Sequence, residues 1–369
     1  MNKKKFAFLI HPRQIKDFGR RVGILLKVGE WLGMMIPAFI LKWLMKRFPP
    51  FGICSEYEIN GAKGYIITLH MTAGDMMNSL KAKKLARKRI LDAVLYAQNE
   101  LGVEVIGLGA YTAPITDNGA WITKQKGVTC TITHGDALSA YTIMPILNSV
   151  IEAKKINISE ATVAIVGAYG LIGRAVANLI SEIGPKKIIL TGPQILKLEK
   201  VKQELLGIYQ GEVICYSSDT PNQKSESAYH AILREADILI LSTTASGTLV
   251  KSDMLKYGAV VVDMSQPHNM CKSVCKVRPD VTRVDGGYIN IGTHCGFEMG
   301  PPRNVTFACH AETILLALSG NGRHHVGPVD IDFAKKIWLL AVGTGFKLAP
   351  LSNFSKPIDL VSSDSLAAT

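Results

Sequence analysis

Apolar positions fall into two alternating kinds of run. Short, largely β-branched runs recur at residues 6–10, 65–69, 103–108, 128–132, 162–166, 187–190, 212–215, 238–241 and 260–263. Runs of this length, bounded by glycine or small polar residues, predict strands. Between them lie longer stretches with apolar residues every three or four positions, the spacing of one helix face. One is capped by Asn78 or Ser79, reaches about Leu101 and ends at Gly102, with Leu80, Leu85, Leu91, Val94 and Leu95 as its expected buried stripe. Others cover 137–154 and the segment opening with Leu171, Ala175, Val176, Leu179 and Ile180. A further helix is capped by Asn304 or Thr306, runs to Leu318 and closes at Gly320; an apolar element follows at 337–342. The Ser-rich stretch after Leu351 is expected to fray. Strands alternating with helices predict an α/β protein with parallel sheets, whose ligands bind at strand C-termini.

One strand end carries chemistry. The run 162–166 passes directly into Gly167-Ala168-Tyr169-Gly170-Leu171-Ile172-Gly173 and then into a helix. Glycines at this spacing let the backbone turn tightly and let a pyrophosphate approach, while the helix N-terminus offers N–H groups to the anion. This predicts a Rossmann-type doubly wound sheet binding a dinucleotide. The next strand ends at Thr191-Gly192-Pro193, where an NAD site usually places Asp or Glu; Lys197 and Lys200 follow, so NADPH is the expected cofactor. Thr243 and Thr244, in the loop after 238–241, are expected near the nicotinamide. The expected division is an apolar extension at 1–60, an α/β substrate unit at 61–155, the Rossmann unit at 156–303 and C-terminal helices at 304–369.

Charge and composition sharpen the picture. A formal net charge of +12 over 369 residues favours an acidic partner. Lys81, Lys83, Lys84, Arg87 and Lys88 crowd the start of one predicted helix, either as a docking face for an anionic partner or as a solvated surface. The positive residues are not interleaved with stacking aromatics, which argues against nucleic acid. Seven cysteines without a C-x-x-C pair read as reduced thiols in a cytoplasmic protein. The spacing of His268, Cys271, Cys275, His294 and Cys295 matches no closed zinc site. Residues 22–48 are apolar-rich, but Lys27, Glu30, Lys42 and Lys46 break the run and Pro37 interrupts its charge-free centre. That centre is too short to span a bilayer; it reads either as a peripheral membrane-interface segment or as a core-packing helix pair.

The helix beginning near Phe307 places Cys309 in its first turn, where the helix dipole favours a thiolate. The residue reads as a nucleophile or as a small buried side chain. His134 and His310 complete the candidate catalytic set, although His310 is adjacent on the helix and neighbours there do not face each other. Over about residues 61–351 the chain resembles the cyanobacterial long-chain acyl-acyl-carrier-protein reductases, which form fatty aldehydes. The resemblance is carried by residues 81–98, Gly107-Leu108-Gly109-Ala110-Tyr111, Ile132-Thr133-His134-Gly135-Asp136-Ala137, the glycine turn with its strand, and Phe307-Ala308-Cys309 with Ala311-Glu312 and Ile314-Leu315-Leu316. It implies that Cys309 is acylated, that the glycine turn holds NADPH, and that the acyl donor is an acyl carrier protein or coenzyme A thioester. The family typically has an arginine after the second Rossmann strand, where Thr191-Gly192-Pro193 stands here, and residues 1–60 have no counterpart. Two rival readings are a shikimate- or quinate-type dehydrogenase, which needs a lysine–aspartate pair and no thiol, and a non-enzymatic NADP-sensing or membrane-surface protein.

Overall fold

A computed structural model describes residues 4–19, 30–219, 221–245, 247–297 and 300–360. The part of the apolar segment before Glu30 lies outside these, as does the tail after Leu360. The chain forms two compact units, each made of two segments: residues 1–135 with 291–328, and 136–290 with 329–369. These boundaries differ from the divisions at 60, 155 and 303 expected from sequence. The strand ending at 133 and the helix carrying Cys309 belong to one unit because that helix packs on the first unit's strands.

The first unit is built on five strands: β1 (Lys5–Ile10), β2 (Phe51–Ile59), β3 (Ala62–Leu69), β4 (Val105–Leu108) and β5 (Thr131–Thr133). Their order is β2-β3-β1-β4-β5, and all pairs are parallel except β2 with β3. β2 has no counterpart in the sequence reading. It forms a hairpin with β3 through Asn60 and Gly61, both at positive φ (46° and 83°). That dipeptide is a strong hairpin signal, and Ser55, Tyr57 and Ile59 alternate buried with exposed Glu56 and Glu58.

The helix Leu80–Asn99 is capped by Ser79, whose side chain accepts from the Ala82 N–H. It buries Ala86, Ile90, Ala93, Val94 and Ala97 against the sheet. The stripe expected from the leucines is therefore rotated: Leu80 and Leu85 are exposed, at 82% and 44%. Small alanines allow close packing on a strand surface; of the expected stripe Val94 is buried there, and Leu91 and Leu95 are half-buried. The helix Ala308–Ser319 packs on β1, β3 and β4. Gly107 of β4 lies so close to it that a Cβ there would overlap the Thr313 hydroxyl. Two short helices, Glu30–Met35 and Ala38–Arg47, form a satellite in which Leu41 and Met45 pack on Phe18.

The second unit carries a six-stranded parallel sheet: β6 (Thr162–Val166), β7 (Lys187–Gly192), β8 (Glu212–Ser217), β9 (Ile238–Leu241), β10 (Val260–Asp263) and β11 (Thr282–Asp285). Its order, β11-β10-β9-β6-β7-β8, is the Rossmann order with the switch point between β6 and β9. Both faces are covered. Val163, Ile165, Ile188, Leu190, Ile238 and Ile240 enter one core cluster, and Ala164, Val166, Ile189, Leu239 and Leu241 enter the other. This is the α/β Rossmann-type fold expected.

The helix expected at 137–154 is two helices, Asp136–Tyr141 and Ile143–Lys154. The residues 337–342 lie in the helix Ile331–Gly343, capped by Asp330. The chain after Leu351 does not fray at once. Residues Ser352–Asn353 pair with Lys356–Pro357, and the Ser352 hydroxyl and Ser355 N–H both donate to Asp285.

Candidate functional site

The thiol site lies within the first unit. Cys309 is the second residue of the helix Ala308–Ser319, whose N-cap, Phe307, supplies no side-chain acceptor to the first turn. Ala308 and His310 on either side are buried, whereas Cys309 is half-buried. The loop after β5 is pressed onto it. A Cβ added to Gly135 would overlap the Cα and Cβ of Cys309, and Gly135 sits at φ +75°. Only glycine both accepts this conformation readily and leaves room for the thiol-bearing backbone. The loop is fixed from beneath. The Thr133 hydroxyl donates to Glu312 Oε1 (2.5 Å) and accepts from the Gly135 N–H (3.0 Å). Glu312 and Thr133 are both fully buried.

The two candidate histidines differ. His134 follows β5 directly, and its main-chain N–H donates to His325 O. Its Nε2 lies 3.1 Å from Gly327 O, so the proton sits on Nε2. Burial lowers its pKa below the ordinary 6.5 and keeps the ring neutral, with the lone pair on Nδ1. His310, by contrast, stands in the core of the unit and not at a reacting surface. It is fully buried, with Nε2 at 2.6 Å from the Tyr57 hydroxyl and Nδ1 at 2.8 Å from Thr306 Oγ1. Its ring packs 4.7 Å from that of Phe8, and burial drives its pKa down to about 3. Both nitrogens are used inside the core, so the ring serves packing. Glu312 had no role in the sequence reading. Its signal was a lone carboxylate in an otherwise apolar helical run, three residues beyond the thiol.

The glycine turn is in the second unit. Gly167 has φ +86°, and its Cβ would meet Ser242 O and Thr243 Cγ2, both at 2.8 Å. At Gly173 a Cβ would overlap Gly167 O. Gly170 is the N-cap of the helix Leu171–Ile183 and brings no side chain to its first turn. The turn is braced by the Thr191 carbonyl, which accepts from the N–H groups of Gly167 (2.9 Å) and Ala168 (3.1 Å). Thr191 itself is fully buried with its hydroxyl toward Ile165 O, so its side chain supports the turn. Gly192 packs under the Tyr169 ring, over which the Lys197 ammonium lies at 5.3 Å. Thr244 is exposed. Thr243 belongs to a network absent from the sequence reading: its hydroxyl donates to Asn269 Oδ1, and its N–H donates to Ser265 Oγ. Buried Asn269 also donates to Ala245 O and Gly247 O. The carboxylate of Asp263 holds Ser265, Asn269 and Met270 and pairs with buried Arg283 at 3.0 Å. These bonds tie Thr243 and Ala245, beside the glycine turn, to the residues that follow β10.

Of the basic helix, Lys81, Lys83, Lys84 and Lys88 are exposed. Arg87 is not available in the same way: it donates to Ile115 O, pairs with Asp117 at 2.7 Å and lies over the Trp121 ring. Among the described residues, no group of three His, Cys, Asp or Glu is placed to hold a metal ion, and no helix is long and apolar enough to cross a membrane.

The chain is similar to known oxidoreductases. Residues 150–285 match the family described as Shikimate / quinate 5-dehydrogenase, a span that ends before Cys309. The long-chain acyl-[acyl-carrier-protein] reductase of Synechococcus elongatus is 26% identical over 290 residues, covering 73% of this chain and 79% of that one. The resemblance read from the sequence therefore stands, as a distant one. Among solved structures, shikimate 5-dehydrogenase from Listeria monocytogenes, in complex with shikimate and NAD, is 11% identical at a TM-score of 0.41, covering 92% of this chain and 97% of that one. Glutamyl-tRNA reductase from Methanopyrus kandleri is 14% identical at a TM-score of 0.31, over 57% of this chain and 48% of that one. The chain thus spans about half the length of that reductase.

Proposed function

We propose that the protein reduces a long-chain acyl thioester to the aldehyde through an acyl-enzyme on Cys309, with NADPH as reductant. The observation that supports this reading best is the half-buried Cys309 with the Thr133-His134-Gly135 loop fixed against it by Glu312. A thiol that only filled core space would need no such loop. The distant likeness to the acyl-carrier-protein reductase names the substrate class.

In the proposed reaction the Cys309 sulfur attacks the thioester carbonyl, the carrier thiol leaves with the proton that Cys309 gives up, and an acyl-cysteine remains. Neutral His134 is the residue assigned to move that proton. Backbone N–H groups at the start of the helix Ala308–Ser319 stabilise the oxyanion. Gly167 and Gly173 suit the tight turn of a dinucleotide site, because a Cβ at either would collide with the turn itself or the loop beside it, and Gly170 leaves the N-terminus of the helix Leu171–Ile183 clear of a side chain. A reduced nicotinamide held by these glycines would supply the hydride for the acyl carbonyl. Collapse of the resulting thiohemiacetal releases aldehyde and restores the thiol. Lys197 and Lys200 favour a 2′-phosphate. Exposed Lys81, Lys83, Lys84 and Lys88, with Leu80 and Leu85 beside them, suit an acidic carrier protein.

The test is product analysis by mass spectrometry after incubation with long-chain acyl carrier protein and NADPH. The intact chain is expected to yield aldehyde and a mass adduct on Cys309; Cys309→Ala is expected to yield neither. Full aldehyde output from that variant would sink the assignment. The match at 150–285 also accommodates a hydroxy-acid dehydrogenase, and oxidation of shikimate or quinate with NADP that survives Cys309→Ala would assign that activity instead.

A further inference from the structure

The helices Glu30–Met35 and Ala38–Arg47 turn apolar side chains in two directions. Leu41 and Met45 face inward onto Phe18, with Ile15, Ile36, Leu44 and Phe48 around them. Trp31, Met35, Phe39 and Trp43 face solvent, at 67, 62, 73 and 53% exposure, joined by Leu32 and Ile40. At roughly 100° per residue, Phe39, Trp43 and Lys46 share the face opposite Leu41, and Lys42 and Arg47 flank it. The Arg47 guanidinium lies 4.6 Å over the Trp43 ring. No aspartate or glutamate occurs from Trp31 to Ser55.

We propose that this helix pair seats the protein on an anionic lipid bilayer. Phe39, Trp43, Trp31 and Met35 enter the boundary between headgroups and acyl chains, and Lys42, Lys46 and Arg47 meet lipid phosphates. Exposed aromatic and aliphatic side chains beside the cations of an acid-free helix, Ala38–Arg47, are the pattern of a helix lying in the interface plane. Two of the chain's four tryptophans stand on this face, and indole suits the water–acyl boundary. A second copy fits the face poorly. A two-fold contact through the helix Ala38–Arg47 would bring Lys42, Lys46 and Arg47 toward their own copies, and that helix carries no acid to offset them. The inference does not depend on the reaction at Cys309.

The test is flotation of the full chain with phosphatidylcholine vesicles, with and without about 30% phosphatidylglycerol. The chain is expected to float with the anionic vesicles, less so as salt rises, and its tryptophan emission is expected to shift to the blue. The Phe39→Ser/Trp43→Ser variant is expected to bind them at least about tenfold more weakly, since two large apolar side chains no longer leave water. Lys42→Gln/Lys46→Gln is expected to weaken binding to anionic vesicles only. The proposal falls if no vesicle is bound or if the double serine variant floats like the parent. It also falls if that variant merely abolishes a concentration-dependent dimer in sedimentation, which would assign the face to a second copy. Turnover of a water-soluble thioester, followed in parallel, separates this result from failure of the proposed reaction.

Discussion

A methyl group at position 135 has nowhere to go. Its carbon would overlap Cys309, and the backbone there is at φ +75°, costly by roughly 1–2 kcal/mol for a residue with a Cβ. Gly135→Ala is therefore expected to push the loop off the thiol. Turnover should fall by more than about tenfold, because misplacing reacting groups by an ångström has that order of effect, while cofactor affinity is unchanged. Steady-state kinetics with cofactor titration check this; normal turnover would remove the loop from the site. His310 carries a separate consequence, for stability. Burial holds its pKa at about 3, against 6.5 for the ordinary imidazole. The unfolded chain takes up a proton below pH 6.5 that the folded chain refuses. Stability is thus fully present above pH 6.5 and falls as pH drops toward 3, by about 1.4 kcal/mol per pH unit from this residue. His134 and His11, whose pKa values burial also lowers, add in the same direction. Urea midpoints at pH 7.5 and 5 measure the slope, which His310→Gln should flatten.

The helix Leu80–Asn99 separates what periodicity can read from what it cannot. Its existence, a cap at Asn78 or Ser79 and its basic start follow from residue order, and the structure places the cap at Ser79. Its orientation does not, because alanine reads as neutral in an apolar pattern yet Ala86, Ala93 and Ala97 form the contact with the sheet. The Rossmann strands were legible because β-branched runs ending in glycine leave few alternatives. β2 is harder to see from periodicity, because its alternation follows an apolar segment without a break, and only Asn60 and Gly61 mark its hairpin. The place of Cys309 in the first turn of a helix was legible. Its support was not: Thr133 and Glu312 are 179 residues apart, and no local spacing links them. The rotated helix also sharpens the docking proposal, since Leu80 and Leu85 now stand beside the lysines. Reversing Lys81, Lys84 and Lys88 to Glu should lower kcat/KM for acyl carrier protein by about tenfold or more at low ionic strength, through slower association, with the deficit shrinking as salt is added. Salt titration of kcat/KM reads it; an unchanged salt slope would release this face from carrier binding.

Neither unit is closed by one continuous stretch of chain. The first unit recovers residues 291–328 after the chain has built the Rossmann sheet, and the recovered piece includes the helix that covers β1 and β4. Ala308, Ala311, Ile314, Leu315 and Leu316 of that helix are fully buried. Each larger apolar side chain contributes roughly 1.5–3 kcal/mol by leaving water, against about 5–15 kcal/mol for the net stability of a whole domain. The candidate nucleophile is therefore carried by an element the first unit needs in order to fold. A chain ending at residue 328 keeps that element, and one ending at 290 loses it. Hydrogen exchange is expected to show slowly exchanging amides in β1 and β4 of the longer fragment, and fast exchange there in the shorter one. The second unit should be weakened in both, since each lacks the helix Ile331–Gly343 that packs on Asp136–Tyr141. Slow exchange in β1 and β4 of the 290-residue fragment would mean that the sheet stands without its covering helix. The fixed geometry around Cys309 would then have no structural reason to exist beyond the chemistry proposed for it.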